Sequence, residues 1–438
     1  MDQAMNLQGE ASPRSSTAGM GYKAMLASGI GHFLEWFEFA TYSYLAVVFS
    51  KNFFHFASDS TSLLLSFATF GVGFVARPLG GIVLGQLGNR LGRRSLLVST
   101  MWMMALSTFA IGCLPTYDSI GLWAPIFLVT LRLIQGFSLG GEWAAAAMYM
   151  VEWAPDSKRG FFGSLHQVSG ALGLLFGSIT VAILSSTLNQ EAFNNWGWRV
   201  PFLFAAVIGP IAVVIRRRIG ETPAFEKLKA ERTSGQMRAP VARHSNKLKN
   251  SIVTFSLAST WSLLFFIVMS YMPVFLQKHV KIPASETFWI SSLGLVALVA
   301  ATPIMGAISD RVGRRPVLLA GCAVFAVFTY LLFSFLLAGG GFAEALIVEV
   351  ALALMLSLFC GPGTATLIEI FPTELRSGWM SSIYSLSTAI AGGFAPFIAT
   401  WLVGVTGLGI APTFLVIGFA ISGIVTVLAM RETAFKKL

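Results

Sequence analysis

Ionisable side chains are scarce in this chain, 11% of 438 residues, and those that interrupt its long apolar runs are the ones able to do chemistry. Within residues 23–49, His32, Glu35, Phe39 and Tyr42 recur at three- and four-residue spacing and share one helical face, with Glu38 at its margin. Within 121–150, Arg132, Gln135, Leu139 and Glu142 line one face in the same way. A charge in mid-membrane costs about 2.5 to 3.5 kcal/mol on insertion scales, so such groups face a cavity or a partner. The planar arginine fork suits a carboxylate. A buried glutamate can carry a proton, because burial and a nearby guanidinium act on its proton affinity in opposite senses. Counted at 1.5 Å per residue, Glu35 and Arg132 each fall roughly 15 Å from opposite faces of a ~30 Å core, so they are expected to meet. The expected roles are proton coupling for Glu35, Glu38 and Glu142, and substrate binding for Arg132, His32, Tyr42, Gln135, His166 and Trp143. A permanent ion pair between Arg132 and one glutamate is the competing structural reading. Glu349 either gates and couples or reaches toward the outer surface.

Long apolar segments must position these groups. The chain is 55% hydrophobic, which leaves no ordinary soluble surface. One spanning helix needs about 20 apolar residues, and apolar length predicts twelve spans. They fall near 23–49, 61–84, 95–114, 121–150, 161–187 and 199–215, then 251–277, 286–307, 316–338, 342–368, 378–404 and 409–430. Residues 1–22 read as a disordered cytoplasmic tail without a signal peptide, 216–250 as a basic cytoplasmic linker with a short surface helix near 224–232, and 431–438 as a short tail. With both termini inside, all of the 30 lysines and arginines but Lys51, Arg77, Arg132, Arg199, Lys278 and Lys281 fall on the cytoplasmic side, as the positive-inside rule requires. That placement accounts for the net charge of +10 without nucleic acid. The cysteines Cys113, Cys322 and Cys360 have neither disulfide nor metal-ligand spacing and read as buried apolar residues. Nothing in the motifs calls for a cofactor, and the absence of a phosphate-binding loop argues against an enzyme or a nucleotide-driven pump. The implied partners are a small substrate, protons and the bilayer, with the chain acting as a monomer.

Three phrases occur twice. Gly85-Gln86-Leu87-Gly88-Asn89-Arg90-Leu91-Gly92-Arg93-Arg94 returns as Gly306-Ala307-Ile308-Ser309-Asp310-Arg311-Val312-Gly313-Arg314-Arg315, in each case reading as a short loop between spans. Glu152-x-x-Pro155-x-x-x-Arg159 returns as Glu369-x-x-Pro372-x-x-x-Arg376, and Glu221-Thr222 as Glu432-Thr433. Three echoes in one order imply two six-helix halves, 23–215 and 251–430, of an alternating-access machine.

The paired G-x-x-x-D-R-x-G-R-R phrases and Arg132-Leu133-Ile134-Gln135-Gly136 resemble signatures of the major facilitator superfamily. Glu35-Trp36-Phe37-Glu38-Phe39, Gly140-Gly141-Glu142-Trp143 and Trp196-Gly197-Trp198-Arg199-Val200-Pro201-Phe202 resemble its metabolite:proton symporters, the carriers of proline and betaine, α-ketoglutarate, citrate and shikimate. The resemblance implies an all-α membrane protein of twelve helices in two pseudo-symmetric bundles. It also implies import of a small carboxylate-bearing metabolite with protons across a bacterial inner membrane. A proton-driven exporter is less favoured, because Ser169-Gly170-Ala171-Leu172-Gly173 lacks the exporters' proline. A membrane sensor is disfavoured by the short ends. By the same resemblance, gating falls to Arg77, Asn89, Arg90, Arg93, Glu152 and Arg159 in the first half and to Asp310, Arg311, Arg314, Glu369 and Arg376 in the second. The family's loop aspartate is expected to pair with arginine and with a helix end in the other half. Asp310 keeps this acid; Asn89 replaces it and cannot form the ion pair. Asn89→Asp is therefore expected to raise the outward-open population, read by side-specific cysteine labelling; unchanged labelling would mean that the asparagine's hydrogen bonds suffice.

Overall fold

The computed structural model describes residues 14–91, 93–140, 142–152, 154–217, 247–372 and 375–435, and among these every regular element is helical. The first half contains α1 (Arg14–Tyr44), α2 (Ala46–Phe53), α3 (Asp59–Leu91), α4 (Arg93–Cys113), α5 (Trp123–Ser138), α6 (Glu142–Glu152), α7 (Arg159–Thr187) and α8 (Ala205–Arg217). The second contains α9 (Lys247–Phe266), α10 (Ala284–Val312), α11 (Arg314–Leu337), α12 (Phe342–Ile370), α13 (Ser381–Ser387), α14 (Ala395–Thr406) and α15 (Ala411–Ala429). Through π-helical turns, α9 continues to Val280, and α13 joins α14 within Gly378–Thr406. Eight described helices are long and apolar enough to cross a membrane, and shorter apolar helices lie at spans three, four and six.

Several expectations change. The repeated phrase is not a loop: α3 runs through Leu91 and α10 through Val312, so the phrase forms the last helical turns of each span. In the second copy the chain reverses at Gly313 alone, whose φ of 102° favours glycine. Span four is broken into α5 and α6 around Gly140. Cys113 is exposed, whereas Cys322 and Cys360 are buried as expected. The expected helix at 224–232 and most of the linker lie outside the described residues, as does much of the N-terminal tail, and α9 begins at Lys247.

Glycines explain the tightest crossing in the first half. A Cβ on Gly136 of α5 would overlap the carbonyl of Gly73 on α3, one on Gly80 the carbonyl of Phe137, and one on Gly81 the carbonyl of Gly140. Backbone therefore meets backbone along α3 and α5, as small-residue helix interfaces permit in lipid. This close approach places Arg77 of α3 and Arg132 of α5 on directly packed helices.

The halves meet along α7 and α10. Toward the end of the bundle that carries the repeated phrase, hereafter the basic face, a Cβ on Gly306 would stand 2.7 Å from the Gly160 carbonyl oxygen. Toward the opposite face, Ser178 and Ser292 share a 2.8 Å hydrogen bond, and Trp289 donates to Ser186 at 3.3 Å.

Gly136→Ala is expected to cost about 1 to 3 kcal/mol or more by overpacking and to lower the melting temperature of the detergent-solubilised protein. Gly418→Ala, where an added methyl meets nothing within 4 Å, should leave it unchanged.

Candidate functional site

The α3/α5 crossing and α1 build a charged centre inside the first half. Glu35 is buried and ion-paired to Arg77, not to Arg132 as its depth suggested. Arg77, expected near the edge of span two, is itself buried, with its guanidinium 5.1 Å from the Phe39 ring and 4.8 Å from the Phe74 ring. Trp36 donates to His32 Nε2 at 3.1 Å, which makes Nδ1 the protonated nitrogen of a neutral ring. That Nδ1 lies 3.5 Å from Glu35 Oε2, and neither atom has a hydrogen bond. His166 stacks on His32 at 3.9 Å and meets the edge of Trp143, which stacks on Tyr384 of the second half at 3.6 Å. Gln167 carries the network across by donating to Thr364 at 3.0 Å.

Arg132 forms a second centre. Its Nη1 donates to Gln135 Oε1 at 3.1 Å, while Gln135 Nε2 donates to Thr108 at 2.8 Å and to Glu38 Oε2 at 3.4 Å. Its guanidinium lies 4.4 Å from the Tyr42 ring, 5.0 Å from Phe39 and 5.4 Å from Phe70. Tyr42 spends its own hydroxyl on the Ser66 carbonyl at 3.2 Å. Two arginine nitrogens, Nε and Nη2, remain unpartnered although buried, as does Nε of Arg77. Glu38 also borders a cavity of about 30 Å³ between α1, α4 and α8, about the room one water needs. Of the expected site residues, Glu35, His32, His166 and Trp143 gather round Arg77, and Glu38, Gln135 and Tyr42 round Arg132. The side chain of Glu142 lies outside the described residues.

The basic face is shut by the second copy of the phrase. Asp310 accepts from the backbone N–H of Gly160 at 2.7 Å and of Phe161 at 2.9 Å, at the N-terminus of α7, where the helix dipole favours an anion. Arg314 binds Asp310 at 2.8 Å and Glu369 at 3.2 Å, and Arg376 reaches Glu152 of the first half at 2.9 Å. Arg159 pairs with Asp156. Arg311 is exposed and takes no part in these contacts. The side chains of Asn89, Arg90 and Arg93 lie outside the described residues.

Three functional contributors were not foreseen, and Arg77, expected in gating, joins the charged centre instead. Thr108 and Gln167 carry no sequence signal beyond their apolar surroundings. Glu432 was marked only as a repeat. It accepts backbone N–H groups of Arg314 at 2.9 Å, Arg315 at 3.1 Å, Thr433 at 2.9 Å and Ala434 at 3.0 Å, fixing the start of α11 behind the lock.

At the opposite face a vestibule of about 340 Å³ is lined by Tyr44, Lys51, Gln190, Gln277, Lys278 and Lys281, among others. Two bundles, a locked end and buried charges without complete partners define a membrane transporter. A family model described as "Sugar (and other) transporter" matches residues 23–265, and one described as "Major Facilitator Superfamily" matches 257–437. The proline/betaine transporter of Escherichia coli (strain K12) is 34% identical over 427 residues, covering 95% of this chain and 84% of that protein. The ectoine/proline transporter of Corynebacterium glutamicum is 35% identical over 431 residues, covering 95% and 85%. Among solved structures, the partially occluded, inward-open xylose transporter of E. coli aligns with a TM-score of 0.76 at 17% identity, over 96% of this chain and 100% of that one. The chain belongs to the major facilitator superfamily, in its metabolite:proton symporter family, with the twelve-helix fold of that superfamily.

Burial disfavours the Glu432 carboxylate, but its four backbone donors outweigh this and hold it below the usual value of 4.5. A lowered folded-state pKa stabilises fully above the unfolded value and is lost as pH falls through the folded one. Thermal stability is thus expected to carry a Glu432 contribution that is constant above about pH 4.5 and fades below it. Glu432→Gln should remove that acid limb; an unchanged acid limb would exclude Glu432 as its source.

Proposed function

We propose that the chain imports a small zwitterion or organic anion bearing a carboxylate together with protons, by alternating access, across a bacterial inner membrane with both termini in the cytoplasm. One observation carries the reading: Arg132 is buried among Phe39, Tyr42 and Phe70 with two nitrogens unpartnered. Unmatched buried guanidinium donors are costly, and a substrate carboxylate satisfies them with charge-assisted, fork-shaped bonds. The aromatic walls suit a cationic or alkylated ammonium end of the same molecule. The names of the relatives, proline/betaine and ectoine/proline transporters, favour a zwitterionic osmolyte over a tricarboxylate.

Proton coupling follows from charge count. With Glu35 matched to Arg77, Glu38 is the remaining acid beside Arg132, and Gln135 touches both. A substrate carboxylate on Arg132 takes over the role of counter-ion, so a proton on Glu38 and the substrate favour each other, and the coupling is reciprocal. The orientation rests on the basic loops, which gather on the locked face.

In proteoliposomes, Glu38→Gln is expected to abolish proton-driven accumulation of glycine betaine or proline while sparing exchange. Arg132→Lys should weaken binding roughly 10- to 100-fold, as expected for lost charge-assisted bonds. Accumulation unchanged in both Glu35→Gln and Glu38→Gln would exclude these residues as proton carriers, and binding confined to sugars or amines would exclude Arg132 as the anchor.

A further inference from the structure

The second half buries one acid that neither the lock nor the central site uses. Glu349 of α12 is 1% exposed, belongs to none of the ion pairs among the described residues, and its Oε2 has no hydrogen bond. It packs on α10 at Gly294, where an added Cβ would stand 2.6 Å from its Cγ, so glycine there makes the space that the carboxylate arm fills. Thr287, Ser291 and Gly294 follow one another at four- and three-residue spacing on α10, so both hydroxyls share the face that meets Glu349. Both are buried without a hydrogen-bond partner. From the first half comes Tyr44, whose hydroxyl is buried, stands beside Ser178 and lies in electrostatic range of Glu349.

Tyr44, itself buried, also lines the vestibule on the face opposite the lock. Lys51, Lys278 and Lys281 line the same vestibule, and none of them is paired with Glu349. Among the described residues no group of three or more histidine, cysteine or acidic side chains is placed to hold a metal ion, which disfavours a transition metal at this acid. An isolated ionised carboxylate in such a place is very costly, whereas a carboxyl group that has taken up a proton can donate to one of the waiting oxygens.

We propose that Glu349 is a second proton-binding residue of the transporter, loaded through the vestibule past Tyr44 and separate from the Glu38 and Arg132 centre. The O–H bond forms on a Glu349 oxygen as a hydronium ion in the vestibule gives up a proton and becomes water, and it breaks when the site turns to the other face and the proton passes to water there. The α7/α10 contact at Ser178 and Ser292 lies beside it, since Ser292 adjoins Ser291 on α10. Loading is thereby placed at the seam that must part when this face opens. The transport consequence rests on the reading of the chain as a proton-coupled importer; the site itself does not.

Infrared difference spectroscopy on the purified full-length protein tests the site without transport. A protonated-carboxyl stretch that disappears on raising pH is expected to persist in Glu38→Gln, and Glu349→Gln is expected to lose that component and keep only the Glu38 one. Tyr44→Phe should keep the band but slow its response to a pH jump. An identical titrating band in Glu349→Gln overturns the proposal, and so does a sodium-dependent response, abolished by Glu349→Gln, in place of a titrating band. In proteoliposomes, Glu349→Gln should lower the ratio of protons to substrate by one while leaving substrate affinity unchanged; an unchanged ratio overturns the second-proton role. Absence of any proton-linked uptake in wild type would instead remove the importer reading and leave the infrared result standing.

Discussion

Everything in the first half is arranged around the difficulty of keeping a guanidinium out of water. Arg77 and Arg132 solve it differently. Arg77 is neutralised by Glu35 and covered by Phe39 and Phe74. Arg132 leans on the faces of Phe39, Tyr42 and Phe70 and on the amide of Gln135, which lowers the cost of burial without cancelling the charge. A fully matched ion pair has little left to offer a ligand, whereas a partly matched one does. Phe39 serves both arginines, so the two centres share one wall and a change at one bears on the other.

The sequence made the charged centre legible as a set of residues but not as a set of pairs. Helical spacing set His32 beside Glu35 on α1, and Arg132 beside Gln135 on α5, because that periodicity is fixed by the backbone, whereas Tyr42 of the same α1 face meets Arg132 instead. Which acid meets which base depended on how closely α3 approaches α5, and this is decided by Gly73, Gly80, Gly81, Gly136 and Gly140 acting together. Depth along a helix axis cannot supply that, which is why Glu35 was matched with Arg132 when Arg77 lay nearer. The same limit applied to the repeated phrase. Its glycines and charges read as a loop, yet Ser309, Asp310 and Arg311 stay helical, and the reversal is concentrated at Gly313.

The halves divide the work despite the phrases they share. The first supplies Arg77 and Arg132, the stacked histidines and the acids beside them. In the second, Asp310, Arg314 and Glu369 form the lock, with Glu432 bracing its backbone. Asp310 accepts from two N–H groups at the start of a helix in the other half, so its bonds exist only while the halves are together. Contacts of that kind are suited to a switch, since separation exposes both partners to water, where each is readily solvated.

Rigidity within a half and weakness between halves therefore follow from different chemistry. Along α3 and α5, backbone packs on backbone, and any relative sliding would bring carbonyl against carbonyl. Along α7 and α10, the contact is made of glycines at one end and hydroxyl groups at the other, with charged and aromatic groups at their margins. Hydroxyl pairs and a carboxylate near the basic face lose little when water replaces the partner, so this seam opens at far lower cost than the glycine crossing. The substrate and proton groups sit on the rigid side of that division. Their mutual geometry survives the motion, and alternating access changes which face they can reach while leaving the site itself intact.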